Sequence, residues 1–142
     1  MHILQESYES SEKVGDGSLS VGVSYRVIVH QLGSGGNQLR SGRWKKNWKK
    51  ASTITDEALI FIRTKYKKPK MITRAQVSLT RFAPKMMDWD NCMISFKPLI
   101  DACISGGLIE DDSPRVIIQC PQVSQIKCRK EDQRMVIEIW EI

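Results

Sequence analysis

The sequence has no apolar run of about 18 residues, which is the length that a membrane-spanning helix needs. The first residues, Met1 to Glu6, also lack the basic start and apolar stretch of a secretory signal. We therefore expect a soluble, intracellular protein with no membrane partner.

Residues that hold zinc or act as nucleophiles are scarce. The chain has two histidines, His2 and His30, and its four cysteines are 11, 17 and 8 positions apart, without a Cys-x-x-Cys pair. This spacing argues against a zinc site, and no nucleophile-elbow pattern favours a Ser-His-Asp or Cys-His mechanism. Three of the cysteines have apolar neighbours and are predicted to be small buried residues in a reducing compartment: Cys92, Cys103 and Cys120.

One glycine-rich segment, Gly33-Ser34-Gly35-Gly36-Asn37, invites comparison with the loops that cradle phosphates. It matches neither GxxxxGK[ST] nor GxGxxG, so a nucleotide site is not expected there. The segment is predicted to be the loop that ends the first strand.

Positive charge is unevenly distributed in a chain of net charge +6. Between Arg40 and Lys70 there are eleven bases and two acids, a density typical of proteins that bind polyanions, although a solvated surface is the alternative. Trp44 and Trp48 lie among these bases and either stack on nucleobases or, being four residues apart, form the apolar face of a helix. The candidate DNA-binding residues here are Arg40, Arg43, Trp44, Lys45, Lys46, Lys49 and Lys50.

Against this basic background stands an acidic stretch from Asp88 to Asp112, with six carboxylates and one lysine, Lys97. Mg²⁺ and Mn²⁺ prefer oxygen ligands, so a divalent cation is the physical reason we favour for this concentration of acids. The six are Asp88, Asp90, Asp101, Glu110, Asp111 and Asp112.

Within the stretch, Asp88 and Asp90 lie at a boundary between a strand and a helix, and Asp112 follows that helix. All three can reach one cation, and Lys97 can then place a positive charge on a scissile phosphate. Phosphodiester hydrolysis is the reaction that such an arrangement favours. The alternative is structural: Asp88 or Asp90 caps the helix, and Asp111 or Asp112 shapes the turn before Pro114. For Glu110 and Asp111 we favour this structural role.

The order of elements indicates an α+β fold. We predict a small single domain over residues 23–142, with a mixed, mainly antiparallel sheet flanked by two helices, preceded by a flexible arm over residues 1–22. The first helix starts near Arg43, with Ser52 or Thr55 as the N-cap of the part that follows, and Pro69 ends it. The second spans about Asn91–Ser105 and is either kinked by Pro98 or begins near Phe96. The predicted strands are Val23–Leu32, Met71–Phe82, Arg115–Cys120, Gln122–Cys128 and Met135–Ile142. A turn at residues 130–132 precedes the last strand. The polar side of Met71–Phe82 is predicted to face water.

The motifs Asp88-x-Asp90-Asn91, Lys97-Pro98-Leu99-Ile100-Asp101-Ala102 and Gly106 to Ser113 (GGLIEDDS) together resemble the RusA family of Holliday junction resolvases. The resemblance is strong over about 25 residues. Asn37-Gln38-Leu39-Arg40 and Trp44 are similar to an early segment of that family. The segment between Asn91 and Lys97 is longer than in the best-known members, and glycines replace the family's proline-rich turn.

The resemblance implies a symmetric homodimer that cuts four-way DNA junctions with Mg²⁺, or Mn²⁺ as a substitute, by paired nicks. It implies that Asp88, Asp90 and Asp112 are the catalytic and metal-binding carboxylates, that Lys97 is the essential lysine, and that Asn37 joins the DNA-binding residues. Recombination and repair in the nucleoid of a bacterial or phage-infected cell would be the setting. The alternatives are a non-catalytic nucleic-acid-binding protein with the same fold and a nuclease for other branched DNA.

Overall fold

The structure, a computed structural model, describes residues 22–35 and 44–142, with side chains from Trp48 onward in the second range. Residues 1–21, which make up nearly all of the predicted arm, lie outside the described part, as do Asn37, Arg40 and Arg43. The elements are β1 (Tyr25–Val29), α1 (Trp44–Lys65), β2 (Ala75–Ala83), α2 (Trp89–Ser95), α3 (Lys97–Ser105), β3 (Gln122–Lys127) and β4 (Arg134–Glu141), with a 3-10 turn at Lys130–Asp132 between the last two strands.

The four strands form one sheet in the order β1-β4-β2-β3. The β1–β4 and β4–β2 pairs are antiparallel, and β2–β3 is parallel, so the sheet is mixed and mainly antiparallel as predicted. Strands β1 and β2 match their predicted positions and are shorter than predicted by a few residues, whereas β4 has the predicted length and begins and ends one residue earlier. The α+β single-domain prediction is confirmed.

The main core lies between one face of the sheet and the helices. Alternate strand residues such as Val27, Leu79 and Ile137 are fully buried there, and helix α1 contributes Ile54 and Ile62. A smaller apolar group lies on the opposite face, around Phe82, Ile126 and Val136. The prediction that the polar side of β2 faces water is wrong at Thr80, which is only 4% exposed. In the described part of the chain, no helix is long and apolar enough to cross a membrane.

Helix α1 is continuous, so the predicted N-cap at Ser52 or Thr55 is wrong. The Thr55 hydroxyl instead donates to the carbonyl oxygen of Ala51 at 3.0 Å, within the helix. A threonine inside a helix can bond back to the preceding turn in this way, so its hydroxyl does not mark the start of a helix. Glu57, inside this continuous helix, accepts the backbone N–H of His30 at 2.8 Å and so ties α1 to the end of β1.

The second predicted helix is two helices, α2 and α3, separated at Phe96. Pro98 lies in the first turn of α3, where its missing N–H costs no helical hydrogen bond. The alternative in which a helix begins near Phe96 is therefore confirmed. The residues before Phe96 form a short helix of their own.

The predicted strand Arg115–Cys120 is wrong. The N–H groups of Val116 and Ile117 both bond to the carbonyl oxygen of Ser113, at 3.0 and 2.9 Å, so they are used within a turn. Only an isolated bridge joins this segment to the sheet, between Ile117 and Ala75 at the start of β2. Cys120 is exposed, contrary to prediction, whereas Cys92 and Cys103 are buried as predicted.

Candidate active site

Asp88 and Asp90 flank the start of α2, as the sequence predicted. Asp88 occupies the N-cap position with extended backbone, yet its side chain makes no capping hydrogen bond to any described residue. Oδ1 of Asp90 accepts the N–H of Asn91 at 2.9 Å. Both residues are exposed. The capping alternative is therefore wrong for the carboxylate of Asp88, which remains accessible to a ligand.

Lys97 lies between two carboxylates. Its Nζ is 2.8 Å from Oδ2 of Asp112 and 3.0 Å from Oδ1 of Asp101, which is one helical turn further along α3. Hydrogen bonds to Asp112 first and Asp101 second raise the pKa of the Lys97 ammonium. The Lys97 side chain is therefore protonated and positively charged at neutral pH. The longer segment before it does not keep it from Asp112.

The remaining acids of the stretch have local roles, as predicted. The Asp111 carboxylate accepts the N–H of Asp112 at 2.7 Å, and this bond lowers the pKa of Asp111. Glu110 pairs with Arg115 at 3.0 Å. These two side chains shape the turn that carries Asp112.

The predicted metal ligands supply the donor type that suits a hard cation, since all three are carboxylates. The structure pairs Asp112 with Lys97, and across the described residues no three His, Cys, Asp or Glu side chains are grouped closely enough to hold one metal ion. The ligand set Asp88, Asp90 and Asp112 is thus chemically suitable but is not assembled as a group of three. It stays a prediction.

The glycine loop after β1 lies directly against α2. A Cβ on Gly33 would overlap the carbonyl group of Ser95, and a Cβ on Gly35 would lie 2.9 Å from Cβ of Asn91. Only glycine allows the backbone to approach this closely. The loop that leads toward the basic segment is therefore packed on the helix that carries Asp90.

A groove of about 430 Å³, here called the Trp48 groove, connects α1 with Lys97 and its partners Asp101 and Asp112, here called the Lys97 site. Trp48, Ile94 and Pro98 give it apolar walls, and Lys97 and Asp101 lie on its polar side. Trp48 is 70% exposed, so it does not pack into the core as the apolar-face alternative required.

The other predicted DNA-binding residues are only partly described. Lys49 and Lys50 are exposed on α1. Trp44, Lys45 and Lys46 belong to the first turn of α1, and their side chains lie outside the described part. Exposed lysines next to the Trp48 groove give this end of α1 a positive surface.

A nucleophilic cysteine is not supported by the buried thiols. Burial raises the pKa of Cys103 to about 12 and also raises the pKa of Cys92. Both thiols are therefore protonated at neutral pH and are weak nucleophiles.

Sequence reasoning missed two residues next to the candidate site, Arg81 and Gln125. Both are buried polar residues on the helix-facing side of the sheet, and both bond to the segment before Asp88. The available signal was a long polar side chain at an alternate, core-facing position of each strand.

No protein-family model matches the chain, and no curated protein sequence matches it significantly.

Proposed function

We propose that the protein is a metal-dependent endodeoxyribonuclease that cuts branched DNA, four-way junctions in particular. The observation that carries the proposal is the contact between Lys97 and Asp112, at 2.8 Å, beside a groove that also contains the exposed Trp48. The motif resemblance to RusA-type resolvases and the basic segment before and within α1 support the same reading.

In the proposed reaction the chain's own groups bind and polarise the phosphate. Asp88, Asp90 and Asp112 would hold Mg²⁺ or Mn²⁺. When bound, such an ion supplies an activated water and neutralises a phosphate oxygen. The ammonium of Lys97 stays protonated, so it stabilises negative charge on the phosphate or leaving oxygen and does not act as a base.

DNA binding would rest on charge and stacking. Lys49 and Lys50 neutralise phosphates, and Trp48 offers an exposed ring to a base at the branch point. Two symmetric nicks need two sites, so we propose that the active form is a homodimer. The setting would be recombination or repair in a bacterial or phage-infected cell.

A second function, DNA binding without cleavage, is favoured by one observation. Among the described residues the three proposed ligands are not grouped, and Asp112 is already paired with Lys97. In this case the chain would recognise junctions by shape and phosphate charge alone.

The deciding experiment incubates the parent protein with a synthetic four-way junction, a flap and a linear duplex, with Mg²⁺, with Mn²⁺ and with a chelator. We expect metal-dependent cutting of the junction. Asp90→Asn should abolish cutting and keep junction binding in a gel-shift assay, because it removes a charged ligand and keeps the side-chain size. Glu131→Gln is the matched control, since it neutralises an exposed acid on the 3-10 turn between β3 and β4, outside the proposed ligand set.

Each outcome separates the hypotheses. Normal cutting by Asp90→Asn would show that the ligand assignment is wrong. Preference for the flap would assign another branched substrate. Tight junction binding that is unchanged by chelation, with no cutting across several core sequences, would favour the non-catalytic function.

A further inference from the structure

The segment immediately before Asp88 is bonded to two side chains of the sheet. Nη1 of Arg81 donates to the carbonyl oxygen of Lys85 at 2.7 Å. The Gln125 amide bonds twice to the backbone of Met87: Oε1 accepts the Met87 N–H at 3.0 Å, and Nε2 donates to the Met87 carbonyl oxygen at 2.8 Å. Gln125 thus pairs with the Met87 backbone much as a neighbouring strand would.

Arg81 and Gln125 are also partners of each other in the sheet. They lie opposite each other in the parallel β2–β3 register, near the ends of both strands, and each is 8% exposed. Their bonds to residues 85–87 therefore come from one fixed point of the sheet.

The buried Arg81 is poorly explained by stability alone. Its Nε atom has no hydrogen-bond partner in the described part of the chain, and burial lowers the pKa of its guanidinium. An incompletely satisfied buried charge is commonly no better for stability than a well-packed apolar side chain. What the guanidinium does achieve is the bond to Lys85, three residues before Asp88.

The path from these bonds to the candidate site is short. Met87 precedes Asp88, whose carbonyl oxygen accepts the N–H of Cys92 at 2.8 Å in the first turn of α2. Asp90 lies within that turn. A shift of the Met87 peptide would therefore move both carboxylates, and displacements of about 1 Å can lower catalytic rates by about 100-fold.

We propose that Gln125 and Arg81 are positioning residues that set the location of Asp88 and Asp90. The inference rests on the proposed nuclease function. Neither side chain needs to contact DNA or metal, since each acts through the backbone of residues 85–87.

The first test is Gln125→Ala, which removes both bonds to Met87. We expect kcat for junction cutting to fall by about 10-fold or more, while KM for the junction stays within about twofold, because position and not substrate binding is lost. A rise in KM with unchanged kcat would overturn the inference.

A second variant, Gln125→Glu, makes the bond pattern depend on pH. A protonated carboxyl group has one donor and one acceptor facing Met87, as the amide has, whereas the ionised group has no donor for the Met87 carbonyl oxygen. The ratio of the variant's kcat to that of the parent should therefore rise as the pH falls. Arg81 lies opposite this position and favours the ionised form, so the rise should come at the acid end of the pH range in which both proteins are folded. A ratio that stays flat to that limit would contradict the role of the two bonds.

The role of Arg81 is tested by comparing a substitution that keeps a hydrogen-bond donor with one that removes it. Arg81→Lys keeps a donor for the Lys85 carbonyl oxygen and should retain more of the parent kcat than Arg81→Met, which has none. Equal kcat in the two variants would remove Arg81 from the proposal.

The matched control is Ile126→Ala, next to Gln125 on β3. Ile126 is buried on the opposite face of the sheet, against Phe82 and Val136. Its truncation should lower the unfolding midpoint and leave kcat near the parent value. An equal loss of kcat in Ile126→Ala would show that Gln125 acts only through overall stability.

A readout without DNA separates this inference from the proposed function. Exchange of the Met87 amide hydrogen should be faster in Gln125→Ala than in Ile126→Ala, because only the first loses its acceptor. If the parent cuts junctions and Gln125→Ala cuts equally well despite faster exchange, the positioning role is overturned and the nuclease function stands. If the parent cuts no branched DNA, the nuclease function and the positioning role fall together.

Discussion

The ammonium nitrogen of Lys97 lies 2.8 Å from Oδ2 of Asp112, although 15 positions separate the two residues. The chain between them follows α3, turns at Gly107, where φ is +82°, and returns beside the segment that enters β2. Two bonds to Ile72 fix this return: its N–H donates to the Leu108 carbonyl oxygen, and its own carbonyl oxygen accepts the N–H of Glu110. The contact is thus produced by the backbone path as well as by opposite charge.

Replacing Lys97 by alanine should impair chemistry more than binding. In the proposed reaction the ammonium stabilises charge that develops in the transition state, so Lys97→Ala is expected to lower kcat by about 100-fold or more, with junction affinity changed only a few-fold. Single-turnover cleavage at saturating protein and a gel-shift titration measure the two quantities. Lys67→Ala, which removes an exposed lysine outside the site, is the control. Weaker binding with an equal rate at saturation would show that Lys97 serves affinity.

The buried thiol of Cys103 should make the fold less stable in alkaline solution. Its pKa is raised from the ordinary 9.0 to about 12, so the unfolded chain releases this proton at a lower pH than the folded chain. The free energy of unfolding should therefore fall as the pH rises from 9 to 12, by up to about 4 kcal/mol from this group. Urea denaturation across this range measures the slope, which should be smaller in Cys103→Ala and unchanged in Cys120→Ala. Equal slopes in all three proteins would contradict the prediction.

Trp48 should contribute to the binding of branched DNA. Its ring is exposed beside the Lys97 site, and stacking on a base contributes about 1–3 kcal/mol. Trp48→Ala is therefore expected to weaken junction binding by about 5-fold to 150-fold, measured by fluorescence anisotropy of a labelled junction. Ile60→Ala is the control, because Ile60 is a second large apolar residue exposed on α1, away from the groove. Equal losses in both variants would indicate a general effect on the helix.

Removing Glu138 should destabilise the sheet strongly. Oε2 of Glu138 accepts bonds from Nε and Nη2 of Arg26 at 2.9 and 2.7 Å across the β1–β4 pair, and both residues are buried. Truncating one partner leaves a buried charge, so Glu138→Ala is expected to lower the free energy of unfolding by about 3–5 kcal/mol.

The control for this change is Glu141→Ala on the same strand. Glu141 pairs with Lys70 at 3.3 Å, and both side chains are largely exposed, so the expected loss is about 0–1 kcal/mol. Urea denaturation measures both variants. Similar losses would mean that the Arg26–Glu138 pair does not behave as a buried charge pair.

The sequence predicted the strands in which apolar and polar residues alternate, because such a strand buries one of its two faces. Alternation over Tyr25–Val29 and Ala75–Ala83 was sufficient to locate β1 and β2, because each packs one side on the core. Arg115–Cys120 failed for a different reason. Val116 and Ile117 are buried, but their N–H groups bond within a turn, and burial alone cannot distinguish a turn from a strand.

The candidate site was predictable where residues are close in the chain and less so where they meet through the fold. The adjacency of Asp88 and Asp90 follows from spacing, whereas the contact between Lys97 and Asp112 needs the turn at Gly107. Alternation along each strand indicates that Arg81 and Gln125 face the core, but their bonds to residues 85–87 could not be predicted, because they depend on the parallel register of β2 and β3.

The order of strands has a consequence for synthesis of the protein. Strand β4 (Arg134–Glu141) is the last of the four to be made, yet it lies in the interior of the sheet and supplies the only pairing of β1 among the described strands. A nascent chain that ends before Arg134 can join β2 to β3 and leaves β1 without a neighbour. The sheet therefore cannot close until Arg134–Glu141 has left the ribosome, and β1 stays unpaired until this last strand is available.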